Sequence, residues 1–221
     1  MVIWITLSAI TMLLLSFASL GSKLFNRYIS YYSIQSLILT FTCSLLAYRL
    51  HLTDLWILAS LTLVIKTIAI PFFSHHWLLK HLEIKRDTAT NLGPSTSLIL
   101  GAVLVALGLL LNLPESPDLS GIIQSSHISQ SVPQLAIAII FIGGLCMVIR
   151  KHIVAQLFGW LMVENGVFLL AITLVPTFAF IVEAGIFLDL VGAVLITVAL
   201  AWGFSIQKII PSASELKGLK H

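Results

Sequence analysis

The run RKHIVAQLFGWLMVENGVFLLAITLVP, Arg150–Pro176, decides the fold. It opens on Arg150 and Lys151, continues through an almost wholly apolar segment and stops at a proline. A helix needs roughly 20 largely apolar residues to cross the hydrocarbon of a bilayer, and 153–175 supplies them. One carboxylate, Glu164, interrupts the segment. It lies twelve residues after His152 and twelve before Pro176. At the helical rise that is roughly 18 Å from either end, too deep for the side chain to reach water.

Outward from this run, six more stretches read as membrane helices: 2–20, 32–50, 54–73, 95–113, 134–149 and 178–206. Prolines punctuate them. Pro94 opens the fourth and Pro114 closes it, Pro133 precedes the fifth, and Pro176 separates the last two. Composition agrees, with 58% hydrophobic and 10% charged residues and a mean hydropathy of +1.05. A soluble domain carries about 25% charged residues. The expected fold is therefore an all-α integral membrane bundle of about seven transmembrane helices. The first 22 residues carry no charge, unlike the basic start of a secretory signal, so the first segment is expected to be a retained helix.

The basic residues test this layout. Ten of the twelve lie in alternate connections: Lys23 and Arg27, then Lys80, Lys85 and Arg86, then Arg150 and Lys151, and finally Lys208, Lys217 and Lys220. The other side holds only Arg49, and its longest loop carries Glu115 and Asp118. Basic residues stay on the cytoplasmic side, which puts the N-terminus outside and the C-terminus in the cytoplasm. The segmentation expected is a four-helix membrane part over 1–113, an extracytoplasmic loop over 114–133, a three-helix part over 134–206 and a cytoplasmic tail over 207–221. The halves show no internal repeat. The net charge of +3 is spread beside hydrophobic runs and forms no patch for nucleic acid.

A charge at the bilayer centre costs about 2.5–3.5 kcal/mol even on lenient scales. Lys66, Glu164, Glu183 and Asp189 therefore need an offsetting partner or a polar path. A carboxyl group kept from water can exchange a proton near neutral pH, which a relay needs; the bland alternative for Glu164 is a structural hydrogen bond to another helix or to Lys66. Glu183 and Asp189 stand six residues apart, roughly 9 Å along a helix and 120° around it. Asp189 shares a face with Gly185 and Gly192, which let another helix approach closely, and lies at about the depth of Glu164. Glu183 lies nearer the outer surface, where interfacial solvation is its bland reading. Lys66 precedes Pro71 by five residues. That proline removes the donor for the Thr67 carbonyl and invites a kink. Thr62, one turn earlier, adds polarity to the Lys66 face. Lys66 is a relay or the fixed counter-charge of a carboxylate; the sequence leaves its partner open.

Other chemistries are excluded. Cys43 and Cys146 are far apart in apolar runs, without metal-ligand spacing, and read as structural thiols. His75, His76 and His81 border a basic loop and read as interfacial histidines, not a metal site. No phosphate loop, dinucleotide fingerprint or catalytic triad is present.

The stretches RKHIVAQLFGWLMVENGVFLL (Arg150–Leu170) and PTFAFIVEAGIFLDLVGAVL (Pro176–Leu195), with VIKTIAIP (Val64–Pro71) before a basic loop, resemble component E of hydrogenase-4. That family is the membrane subunit of formate hydrogenlyase-type and related membrane-bound hydrogenase complexes. The last three helices are also similar to the K subunit of respiratory complex I, whose two membrane glutamates belong to a proton-relay chain. Glu164 matches the first by its place after Gly159, and Glu183 the second in VEAGIFL; Asp189 and Lys66 have no counterpart there. The resemblance implies a non-redox, non-catalytic membrane-arm subunit of a complex I-like or group 4 [NiFe]-hydrogenase-like oxidoreductase. It would sit in a bacterial or archaeal cytoplasmic membrane. Its share of a proton or sodium path would centre on Glu164, with Glu183 or Asp189 as the second group; Lys66, to which the resemblance carries no role, reads from its place in the membrane as tuner or further relay. It implies no cofactor or metal in this chain; partner subunits would hold the nickel–iron centre and iron–sulfur clusters, with antiporter-like membrane subunits and a peripheral arm alongside. A stand-alone ion-coupled transporter and a purely structural subunit are the rival readings.

Overall fold

Long apolar runs with polar groups satisfied along their own backbone dictate helices, and the computed structural model is built of them. It describes residues 2–22, 24–74, 92–111 and 131–176, and no strand occurs among them. The helices are α1 (Val2–Gly21), α2 (Phe25–Leu50), α3 (Thr53–Thr62), a π-helical segment (Leu63–Ala69), α4 (Ile70–Phe73), α5 (Pro94–Leu110), α6 (Ser131–Ile149) and α7 (Ile153–Leu174). α3, the π segment and α4 run on without interruption as one rod. These residues all fall in one compact unit, Met1–Val182.

Among the described residues five helices are long and apolar enough to cross a membrane: Ile3–Gly21, Phe25–Leu50, Thr53–Phe72, Ser131–Ile149 and Val154–Leu174. Their outer faces carry large apolar side chains, with Leu14 63%, Phe72 70% and Val148 73% exposed. Such faces suit lipid and not water. The chain is a multi-pass membrane protein. α5 has 17 residues, about 26 Å of helix against roughly 30 Å of hydrocarbon. The seventh expected span, 178–206, and the tail 207–221 lie outside the described residues, as does most of the loop expected over 114–133.

Three expected boundaries move. α2 begins at Phe25 and not at residue 32, because Phe25, Tyr28, Ile29 and Tyr32 already form a buried face. α5 ends at Leu110 and not at residue 113. α6 begins at Ser131, so the last three residues assigned to the loop are helical. Pro133 is tolerated there because the first-turn N–H groups have no helical acceptor.

α6 and α7 make the closest contact. A Cβ on Gly143 would stand 2.8 Å from Val163 N, and one on Gly166 would stand 3.1 Å from the Ala136 carbonyl. Small residues let the two backbones touch, and dispersion replaces the hydrophobic drive that lipid lacks. α1 packs on α2, α5 and α6, and α2 bridges the third rod to α7. A shared core joins Met12, Leu39, Leu58, Ile139 and Phe168. α7 is the most buried of the five long helices, and the third rod is the least.

Candidate functional site

The local backbone around Lys66 departs from the α-helix. From Leu63 to Ala69 the chain is π-helical, and the N–H of Ile70 donates to the Ile65 carbonyl five residues back. Pro71, which brings no N–H, follows at once. The expected kink thus takes the form of a widened helix just upstream of the proline. Lys66 is the buried residue of this segment. Thr62 is buried on the same side, yet its hydroxyl donates to the Leu58 carbonyl of its own helix.

Lys66 reaches α7. Its Nζ lies 2.9 Å from Glu164 Oε1, and the two residues are 1% and 2% exposed. Phe168 follows Glu164 by four residues and so shares its face; Lys66 Nζ stands 5.2 Å from that ring's centroid. The cation is therefore held by a carboxylate and by an aromatic face together. A buried ion pair of this kind is electrically neutral as a unit. It can exist as ammonium and carboxylate or as amine and carboxylic acid, which differ only by the place of one proton. The question the sequence left open, which partner Lys66 takes, has this answer.

Asn165 points elsewhere because successive helical side chains diverge by about 100°. Its Nδ2 donates to Gln35 Oε1 at 3.3 Å and to Ser36 Oγ at 3.2 Å, both on α2. Gln35 in turn donates through Nε2 to Ser16 Oγ at 2.8 Å and the Met12 carbonyl at 3.2 Å, both on α1. Asn165, Gln35, Ser36 and Ser16 are fully buried. A one-way series of amide donors thus links α7 to α2 and α2 to α1. Further along the α1–α2 seam, the hydroxyls of Ser8 and Thr42 bond to each other at 2.8 Å.

A second buried cation lies in the link between α6 and α7. Arg150 is 3% exposed, and its Nη2 donates to the Leu20 carbonyl at 2.6 Å and the Ser22 carbonyl at 2.9 Å. Its guanidinium carbon stands 5.4 Å from the centroid of Tyr28, and the Tyr28 hydroxyl donates to the Ser22 carbonyl at 2.7 Å. The last carbonyls of α1, which have no intrahelical donor, are met by a positive charge at the negative end of the helix.

Of the residues singled out in the sequence, Lys66 and Glu164 are brought together. Glu183 and Asp189 lie outside the described residues, as do His75, His76 and His81. Cys43 and Cys146 are buried thiols, and the Cys43 Sγ lies 3.4 Å from the Leu55 carbonyl. Among the described residues no group of three or more His, Cys, Asp or Glu comes together as a metal site would require. In the sequence Gln35, Ser36 and Ser16 do not stand out, Asn165 enters only as part of the Glu164–Asn165–Gly166 signature of the resemblance, and Arg150 reads only as a cytoplasmic charge. α2 is the most polar of the long helices, so no single polar residue in it stands out.

Comparison with known proteins agrees with the resemblance. The chain is 26% identical over 193 residues to hydrogenase-4 component E of Escherichia coli strain K12, a match covering 86% of this chain and 85% of the relative. The protein of that name from Shigella flexneri matches to the same extent. No family model matches, and no solved structure does. The chain thus resembles hydrogenase-4 component E along most of its length.

Proposed function

We propose, from this likeness to hydrogenase-4 component E, that the protein is a non-redox membrane subunit of a hydrogenase-type complex, and that it contributes buried charges to an ion path. The observation that carries the reading is the Lys66–Glu164 pair, 2.9 Å apart and out of water. Intramembrane ionisable residues mark ion and proton pathways by default. A lysine–glutamate pair can pass a proton between its two groups and stay neutral as a unit. Glu164 is the central relay group and Lys66 its partner, with Glu183 and Asp189 on the following segment as further steps. The arrangement of seven helices with the N-terminus outside and the C-terminus in the cytoplasm belongs to this proposal, as do a proton as the moving ion, with sodium the alternative, and a place beside antiporter-like subunits in a bacterial or archaeal cytoplasmic membrane.

A second reading has an observation in its favour. Lys66 and Glu164 neutralise each other directly, as they would in a subunit that only holds its neighbours in place. Ion translocation by the assembled complex in sealed vesicles separates the two readings. Glu164→Gln keeps the shape and removes the exchangeable proton, so translocation per electron pair should fall at least about tenfold while the complex still assembles. Normal translocation by the assembled variant would overturn the relay reading, and loss of assembly would favour the structural one.

A further inference from the structure

We infer that Asn165, Gln35, Ser36 and Ser16 form a clamp that sets the rotation of α7 and so aims Glu164 at Lys66. This deepens, and rests on, the reading of Glu164 as a relay group. Glu164 and Asn165 are consecutive residues on α7, so their directions are coupled rigidly through about 100° of helix. Asn165 Nδ2 is held by two acceptors of α2, at 3.3 Å on Gln35 and 3.2 Å on Ser36. Gln35 is itself oriented by donating to Ser16 and to the Met12 carbonyl. Its oxygen is thereby left to accept from Asn165, and the series has a single consistent direction.

The lever is short and sensitive. A side-chain tip stands roughly 5–6 Å from its helix axis, so a rotation of about 10° carries it about 1 Å. That is enough to open a 2.9 Å contact and to slow a transfer between the two groups, since a misplacement of about 1 Å can cost on the order of a hundredfold in rate. The glycine contact of α7 with α6 restricts the rotation by sterics alone. It keeps the backbones close at Gly143 and Gly166 but offers no directional bond around the helix axis. The four clamp residues are positioning residues and exchange no proton themselves.

The experiment reads the carboxyl stretch of Glu164 by infrared spectroscopy of the full chain in lipid vesicles, the band being identified by its loss in Glu164→Gln. Lys66→Met shifts that band by removing the partner. Asn165→Leu and Gln35→Leu should shift it in the same direction, and the exchanged pair Asn165→Gln with Gln35→Asn should restore it, because the total reach is conserved. A band that stays in place in both leucine variants, or that the exchanged pair leaves displaced, overturns the proposal. Should the leucine variants not fold, Ser36→Ala removes one acceptor with little change of volume, and an unmoved band there overturns it equally. In the assembled complex, Asn165→Leu should lower translocation about tenfold. If Glu164→Gln leaves translocation intact, the relay reading fails, while the infrared result still decides whether the clamp aims Glu164.

Discussion

Arg150 and Lys66 are both cations buried in a membrane bundle, and they are accommodated by opposite means. Arg150 meets backbone carbonyls at the end of α1 and the face of Tyr28. Lys66 meets a carboxylate and the face of Phe168. A carbonyl takes no proton and a guanidinium loses none at ordinary pH, so the Arg150 site can only hold helices together. An ammonium and a carboxylate can trade a proton. The difference between a lock and a candidate relay thus lies in the partner, not in the burial of the charge.

The sharpest way to break the comparison is to remove partners at the Lys66 site. Lys66→Met or Glu164→Leu alone strands one charge among apolar side chains and should destabilise the chain by about 3–5 kcal/mol. The double variant should recover most of that stability, since a well-packed apolar pair is often as stable as a buried ion pair. Equilibrium unfolding in mixed micelles measures both; a double variant no more stable than the singles would mean that the pair's packing, and not its charge balance, dominates.

The Arg150 site should respond less strongly. Arg150→Leu leaves the α1 carbonyls unmet and should cost about 1–3 kcal/mol. Arg150→Lys should recover only part of this, because an ammonium lacks the planar face that stacks on Tyr28. Translocation per folded complex should be unchanged in both, and a loss comparable to that of Glu164→Gln would erase the distinction drawn between the two cations.

The smallest effect tests the link between α2 and the third rod. His51 ends α2 in the left-handed region, at φ 53° and ψ 31°, the one positive-φ residue other than glycine among those described. Glycine adopts this conformation without a Cβ penalty. His51→Gly should therefore leave the Lys66–Glu164 contact intact and stabilise the chain by up to about 1 kcal/mol, read as a small rise in Tm.

Much of this is legible in the sequence alone. Glu164 and Lys66 stand out in the sequence because a charge in a long apolar run needs a reason. Among the described residues the apolar runs locate the helices to within a few residues except at the start of α2. There Arg27 obscured a buried aromatic face that begins at Phe25. The widened helix at Lys66 shows in the sequence only as a disturbance near Pro71. The clamp was not legible at all, since Ser, Gln and Asn in a membrane helix are common and their value depends on what faces them.

By itself the sequence determined that the chain lives in a bilayer, that its helices begin and end near particular residues, and that few ionisable groups sit deep within them. Lipid enforces these outcomes locally: backbone groups in hydrocarbon must bond within their own segment, and buried charge is costly wherever it falls. Only the tertiary structure decided that Lys66 pairs with Glu164, 98 positions away. The same holds for Arg150 closing the end of α1 and for Asn165 turning toward α2 while its neighbour turns toward Lys66. These depend on the rotation of one helix against another, which side-chain packing and hydrogen bonds set together and which no local pattern of residues encodes.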